Sequence, residues 1–404
     1  MADRLAADTD SRHCDATAHC GEKMTRQSQF FREQRPAAVL KHGILRRYLH
    51  VFASKTGSTA PGRRVAYLDG YSGPGEYEDG TRGSPLLAAE TARLLGNVRN
   101  LEGFYVEKDL ETYRQLRDSL ARTNHRFKTY RGSVEDHLPT IMGEIGDAPL
   151  FTFFDPFGLG VPFDMLDQHI FSRKRGQFGP ATEILLNFSL PGLRRNAGHL
   201  TSTSTDSIYR KARATIIERV DRTLGGDWWH AIWEAGDGNR EAAIVSGYVK
   251  RLRDAAGGWA YASIPVQNRW QGPPVYGLIF LTSYQGGLWA FNEALSNAME
   301  EFRGKAHELH GMLDLDLSAD RETQWVDQVA ANVERYLDEH GPFIIVNHME
   351  VYGDTFGFAR EKHVRAALKK LCAEGRIRTE VWDKGKLKTD GKGPVEKMRV
   401  LPPT

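Results

Sequence analysis

The sequence predicts an α/β fold organised on a doubly wound, largely parallel sheet, and three observations predict it. Short apolar runs alternate with amphipathic segments of helical period between residues 65 and 188. Carboxylate, amide, hydroxyl or glycine positions gather where each run ends. A further pair of apolar runs, 261–266 and 275–282, follows a helical stretch. Parallel strands need a crossover between them, usually a helix, so this alternation is the sequence form of consecutive βαβ units.

From Ala37 to Ala53 the residues Leu40, Ile44, Tyr48 and Phe52 recur every four positions, with Leu45 and Leu49 beside them, which predicts a helix with one buried face. Lys41, His42, Arg46 and Arg47 fall mostly on the other side and read as a solvated face, or as cover for a ligand cleft. The stretch VAYLDGYSGPG, residues 65–75, is the pivot of the pattern. Val65 to Leu68 form a buried strand that ends at Asp69 and breaks into Gly70, Gly73, Pro74 and Gly75, a tight turn in which backbone can approach a ligand. Ser84 and Pro85 then open a helix running through Leu95. A second strand, 103–106, ends at Glu107 and leads into the helix of Leu110, Tyr113, Leu116 and Leu120. A third, 127–130, ends at Gly132-Ser133, with the helix of Leu138, Ile141, Met142 and Ile145 behind it.

The fourth strand, 150–154, is almost wholly apolar, as burial on both faces requires, and ends in Asp155-Pro156-Phe157-Gly158. The fifth, 184–188, carries Asn187. Helical segments fill 206–255, with Trp228 and Trp229 as packing residues, before the late strand pair and a helix over 288–302. Five alternating units closed by a terminal strand pair are the order of a seven-stranded class I methyltransferase core, a Rossmann-like sheet. Ligands bind such sheets at the carboxyl ends of the strands, where the polar groups gather here.

Length and composition set the frame. With 404 residues the chain is long enough for more than one domain, and we expect a disordered tail over 1–30, the α/β domain over 31–310 and a second module over 324–404. A net charge of +2 announces neither nucleic acid nor an acidic partner, so any basic surface must be local. The sequence has no apolar run of membrane-spanning length, and its first thirty residues have no signal-like apolar stretch. Three cysteines, Cys14, Cys20 and Cys372, make no disulfide framework, and the expected location is the cytoplasm. Cys14 and Cys20 lie near His13 and His19 without recognised zinc spacing, so a tail is expected there rather than a metal site.

In the second module a helix with Trp325, Val329, Val333 and Tyr336 leads to Gly341-Pro342, and a second helix with Val364, Leu368 and Leu371 stops at Gly375. Residues 376–382 and 397–401 pair as a hairpin around a Lys/Gly loop. Helix, helix and hairpin resemble a winged helix-turn-helix. From Arg360 onward thirteen Lys and Arg stand against six Asp and Glu, so the module is locally basic, either as a solvated face or as a nucleic-acid contact.

On the methyltransferase reading, Asp69, Gly70, Gly73 and Gly75 surround the amino-acid end of S-adenosylmethionine. Glu107 offers two acceptor oxygens to the ribose diol, and Ser133 with Glu135 falls at the adenine edge. Ser133 also suits a helix N-cap. Asp155-Pro156-Phe157 resembles the Asp/Asn-Pro-Pro-aromatic loop of amino-methyltransferases, with the second proline absent and the aromatic one place early. Asp155 and Phe157 are therefore the candidates to face the acceptor, and methyl transfer needs in-line positioning rather than a catalytic triad.

The segments KHGILRRYL at 41–49, YLDGYSGPGEYEDGTRGSP at 67–85, FYVEKD at 104–109 and FFDPFG at 153–158, followed by ILLNFS, resemble the three-Cys-motif partner family, TcmP, over about residues 30–300. The resemblance implies a class I methyltransferase-like fold and a separate partner protein carrying a three-cysteine motif, similar to radical S-adenosylmethionine enzymes. It implies no established reaction. Three functions are carried forward: a methyltransferase-like enzyme acting on a nucleobase, nucleoside-like or nucleic-acid acceptor; a non-catalytic partner that presents nucleic acid or a substrate; and a metal-dependent nucleic-acid hydrolase using Asp69, Glu107 and Asp155 as ligands.

Overall fold

The computed structural model describes residues 36–173, 179–202, 207–267, 273–310 and 318–403. The predicted tail, with Cys14 and Cys20, lies outside the described residues. The chain opens on helix α1 (Pro36–Thr56) and continues through strand β1 (Arg64–Asp69), α2 (Ser84–Leu95), β2 (Asn100–Glu107), α3 (Leu110–Ala121), β3 (Arg126–Arg131), α4 (Val134–Ile145) and β4 (Leu150–Phe154). After a helical turn at Phe163–Met165 come β5 (Thr182–Ser189), α5 (Leu190–Ala197), α6 (Ser207–Leu224), α7 (Trp229–Glu234), α8 (Arg240–Ala255), β6 (Ala260–Gln267), β7 (Pro274–Thr282) and α9 (Gln285–His310).

These seven strands form one sheet in the order β3-β2-β1-β4-β5-β7-β6. Neighbours are parallel from β3 to β5, and β7 runs antiparallel to both β5 and β6. This is the doubly wound, methyltransferase-like order expected from the sequence. The chain winds outward through β1, β2 and β3, then returns to place β4 on the other side of β1. A crevice opens at such a reversal, above the carboxyl ends of β1 and β4.

Each strand sends alternate side chains to two cores. Tyr67, Phe151, Phe153, Leu185 and Phe280 meet α1, where Leu40, Ile44, Tyr48 and Phe52 are all buried as their spacing predicts. The Tyr48 ring lies edge-on to Phe280 at 5.2 Å and to Phe291 at 5.5 Å. Leu68, Phe104, Phe154, Ile184 and Ile279 face the other way, toward α4, α7 and α8, where Trp229 is fully buried. Large side chains of this kind contribute about 1.5–3 kcal/mol each when fully buried.

The second sheet follows α10 (Ser318–His340) and takes the order β10-β9-β11-β8 from strands β8 (Phe343–Ile344), β9 (Arg378–Asp383), β10 (Lys386–Thr389) and β11 (Arg399–Leu401), with α11 (Glu361–Ala373) packed beneath. The expected pairing of 376–382 with 397–401 is present as β9 against β11. The Lys/Gly loop is not open, however: its residues fold back as β10, with Leu387 opposite Trp382. Lys384 at φ 50° and Gly385 at φ 74° make the two-residue turn, a positive-φ pair of the kind tight hairpins need. The module is fastened to α9 by the buried Asn292, whose amide donates to the Ala359 carbonyl at 2.9 Å and accepts from the Gly357 N–H at 2.6 Å.

One buried charge is a cost to this fold. Glu183 on β5 is wrapped by the core, and burial pushes its carboxyl up to about 7, the Thr282 and Tyr48 hydroxyls offsetting part of the rise. The unfolded chain loses this proton near 4.5 and the folded chain near 7, so stability falls as pH rises through that window. Ionisation at pH 8 costs on the order of 3 kcal/mol. Glu183→Gln is expected to raise the unfolding midpoint at pH 8 and to leave it nearly unchanged at pH 4; equal effects at both pH values in urea titrations would contradict this assignment.

Candidate functional site

The carboxyl ends of β1, β4 and β5 and the amino end of the antiparallel β7 stand side by side, and on the α1 face they present Asp69, Asp155, Asn187 and Tyr276. This row follows from strand alternation: each residue lies two positions beyond, or before, a side chain of the α1 core. Helix α1 covers the row with Lys41 and His42. The reading of these two as a solvated face is corrected here, because they are only 5% and 8% exposed. Arg46 and Arg47 do lie at the surface, where both bond Glu301 of α9.

Within the row the Lys41 ammonium forms an ion pair with Asp155 Oδ2, and the Asn187 amide donates to Asp155 Oδ1 at 2.6 Å. Lys41 also stands 5.0 Å from the Tyr276 ring centroid. Asn187 Oδ1 and the Tyr276 hydroxyl are buried without a hydrogen-bond partner. Buried polar atoms are normally satisfied, so an orphan acceptor and an orphan hydroxyl at one place point to a missing group. Burial, reinforced by Lys41, pushes the His42 imidazole down to about 4, so it is neutral at physiological pH. Burial and then Asp155 push the Tyr276 phenol well above its ordinary range.

Asp69 is fully buried and accepts from the Tyr71 N–H and the Tyr67 hydroxyl, each at 3.2 Å. Burial pushes its carboxyl up to about 7, against the opposing hydrogen bonds from Ser84, Tyr71 and Tyr67. The turn that follows is folded back on the sheet. Gly73, at φ 65°, donates its N–H to Glu107 Oε2 at 3.0 Å, and Gly75, at φ 82°, lies against Ser119. Gly70 is required by space: a Cβ there would fall 2.5 Å from the Phe154 ring.

A cavity of about 910 Å³ opens on the opposite side of the strand ends, between the β1, β2, β3 and β4 termini and α6. Gly70, Glu107, Ser133 and Phe157 line it. Asp69, Gly73, Gly75 and Asp155 do not; they lie behind it or in the polar row. Glu107 accepts from the Asp109 N–H at 2.8 Å through Oε1, from the Gly73 N–H through Oε2, and from the Lys108 N–H, three of the roughly four bonds a carboxylate can accept. Burial raises its carboxyl above the usual range despite these bonds. Ser133 caps α4, bonding reciprocally with Asp136, so its N-cap role is present together with its place in the wall. Glu135 also lines the cavity.

Sequence reasoning left Lys41 and His42 without a settled role, noted Asn187 without assigning one, and passed over Tyr276. It also passed over α6, whose Glu218, Arg219 and Arg222 close the cavity. The signal for Asn187 was present, an amide at a buried strand end. Nothing in the spacing marked α6.

No family model matches this chain, and no curated protein matches it significantly. Among solved structures it is similar to cofactor-bound Rv0187 from MTB, at 16% identity over 63% of this chain and 85% of that one, with a TM-score of 0.30. It is also similar to the O-methyltransferase TomG from Streptomyces achromogenes in complex with SAM, at 14% identity over 60% of this chain and 80% of that one, with a TM-score of 0.30. Likenesses this loose carry no weight beside the strand order itself. Among the described residues no helix is long and apolar enough to cross a membrane.

Asp155 is the only acidic partner of the buried Lys41 ammonium among the described residues. Removing one member of such a pair strands the other, at about 3–5 kcal/mol. Asp155→Ala is therefore expected to be strongly destabilising in urea unfolding, and Lys41→Met combined with it is expected to recover more than half of the loss. Strict additivity of the two substitutions would show that Lys41 is not held by this pair.

Proposed function

We propose that this protein is an S-adenosylmethionine-dependent, methyltransferase-like enzyme acting on a nucleobase, nucleoside-like or nucleic-acid acceptor, in concert with a three-Cys-motif partner protein as the TcmP resemblance implies. One observation supports it above the others: a cavity of about 910 Å³ at the β1/β4 switch point is lined by Glu107 and Gly70, and the next residues back along β1 and β4, Asp69 and Asp155, belong to a buried polar row with two unsatisfied groups. The cofactor, when bound, supplies an electrophilic methyl group on a sulfonium. Glu107 faces the cavity with acceptor capacity for a ribose hydroxyl, and Gly70 leaves backbone bare in the same wall. Phe157 and Ser133 line the same cavity, and on this reading they take the adenine.

On the acceptor side, Asn187 Oδ1 takes an N–H or O–H of the acceptor, and the Tyr276 hydroxyl gives or takes a second bond. Asp155, held between Lys41 and Asn187, fixes the amide so that its oxygen points away from the carboxylate. An exocyclic amine of a base meets this pattern, since its N–H groups donate to the Asn187 and Tyr276 oxygens and leave its lone pair open to the methyl group. The winged-helix-like reading of the C-terminal module supplies a way to bring nucleic acid to this edge. A second reading, a non-catalytic partner that presents substrate to the three-Cys enzyme, draws support from Asp155 being already engaged by Lys41 and Asn187. The hydrolase reading lacks a ligand set: among the described residues no three His, Cys, Asp or Glu side chains group to hold a metal.

Calorimetric titration with S-adenosylmethionine tests the reading. We expect micromolar binding, about −8 kcal/mol, weakened at least ~10-fold in Glu107→Ala by the loss of charged hydrogen bonds. Asn187→Leu and Tyr276→Phe are expected to retain cofactor binding and to lower methyl transfer to nucleosides or oligonucleotides. A folded wild type that binds no cofactor removes the enzyme reading; binding without transfer to any nucleic-acid acceptor favours the presenting partner.

A further inference from the structure

The local excess of basic residues in the C-terminal module is unevenly distributed once folded. Five of the six Lys and Arg side chains from Arg360 to Arg376 are held in ion pairs: Arg360 with Glu300, Lys362 with Glu322, Arg365 with Glu361, Lys370 with Asp327 and Arg376 with Glu334. Most of these acids come from α9 and α10, so α11 offers phosphate little free charge. The β9–β10 hairpin differs. Lys388 pairs with Asp383, but Lys384, Lys386, Lys392 and Lys397 have no ion pair among the described residues. Lys384 and Lys397 are close enough, with Lys388, to hold the Asp383 carboxyl below its ordinary range.

The same hairpin carries an aromatic surface. Thr379 and Val381 turn inward to the module core, so Glu380 and Trp382 turn outward. Trp382 is 72% exposed and sits directly opposite Leu387, itself 49% exposed. Along the same outer face Glu380 pairs across to Arg399, which stands opposite Ile344, 43% exposed. The four-stranded sheet therefore presents an exposed indole with Leu387 beside it and Ile344 farther along the same face, and Lys384 stands in the turn next to the indole. A solvated charged face needs no exposed indole, and an apolar protein contact is poorly served by an unpaired ammonium group beside it.

We propose that this outer face binds single-stranded nucleic acid, with Trp382 stacking on an unpaired base and Lys384, in the turn beside it, and Lys397 meeting the backbone phosphates. Stacking platforms flanked by basic side chains bind unpaired strands because every base has a π-face. Duplex bases are stacked on one another and closed to Trp382. This names the strand as the partner within the nucleic-acid reading given above and rests on that reading, yet its test needs no cofactor.

Fluorescence anisotropy of a labelled thymidine strand of roughly 20 nucleotides, with the full chain and without cofactor, is the measurement. We expect binding that weakens with salt, by a slope near ~0.7 for each phosphate contacted. Trp382→Ala should weaken it about 5- to 100-fold, Trp382→Phe much less, and Lys384→Ala with Lys397→Ala should flatten the salt slope while Lys362→Ala leaves it unchanged. Tighter binding of the matching duplex, wild-type affinity in Trp382→Ala, or no strand binding would each overturn the proposal. Trp382 is too exposed for its loss to unfold the module. Cofactor titrations on the same samples separate the two readings: intact cofactor binding without strand binding sinks only this one, and the reverse sinks only the enzyme.

Discussion

Burying Asp69, Asp155, Asn187 and Tyr276 along one sheet edge is the constraint that the rest of the structure answers. Taking a carboxylate from water costs several kcal/mol unless a cation and hydrogen bonds replace the solvent. Lys41 and the Asn187 amide do this for Asp155, whereas Asp69 has hydrogen bonds from Ser84, Tyr71 and Tyr67 that offset only part of its burial and leave its carboxyl raised to about 7. Lys41 can reach only if α1 lies across the strand ends, and α1 is kept there by its apolar face on Tyr67, Phe151 and Phe280 and by Glu301 gripping Arg46 and Arg47. The same helix therefore contributes to the core and closes the polar edge.

The sheet divides the work between its faces. Asp155 and Phe157 are two residues apart, yet one belongs to the row under α1 and the other to the cavity wall under α6. The crevice at the strand-order reversal joins them. The chain crosses from the row to the cavity wall at two places, Asp69 to Gly70 and Asp155 to Phe157, and at the first of them only glycine fits. Gly70 cannot carry a side chain without striking Phe154, and any residue at Gly73 would have to adopt a left-handed backbone to keep its bond to Glu107.

Much of this was legible in advance. Strand existence and order followed from apolar runs of fixed period, and Glu107 and Ser133 could be found because a strand end followed by a helix places a residue at the crevice. Lys41 and His42 could not be assigned in the same way. Helical periodicity separates an apolar stripe from its flank, but whether the flank meets solvent or another element depends on where the helix docks. Strand β10 was missed because Lys-Leu-Lys-Thr has a single apolar residue, and its pairing is set by the positive-φ turn at Lys384-Gly385. The role of α6 is tertiary throughout, since no local pattern tells a helix which cavity it will roof.

The amide of Asn292 has both of its ends committed to the backbone of the C-terminal module, at Ala359 and Gly357, from within α9. Since α9 also holds α1 through Glu301, the module, α9 and α1 are joined as a lever rather than strung as beads on a linker. A load applied at the hairpin reaches the helix that covers Asp155 without passing through the sheet. The module and the helix over Asp155 are thereby tied to one common element, α9, by side chains rather than by chain connection alone.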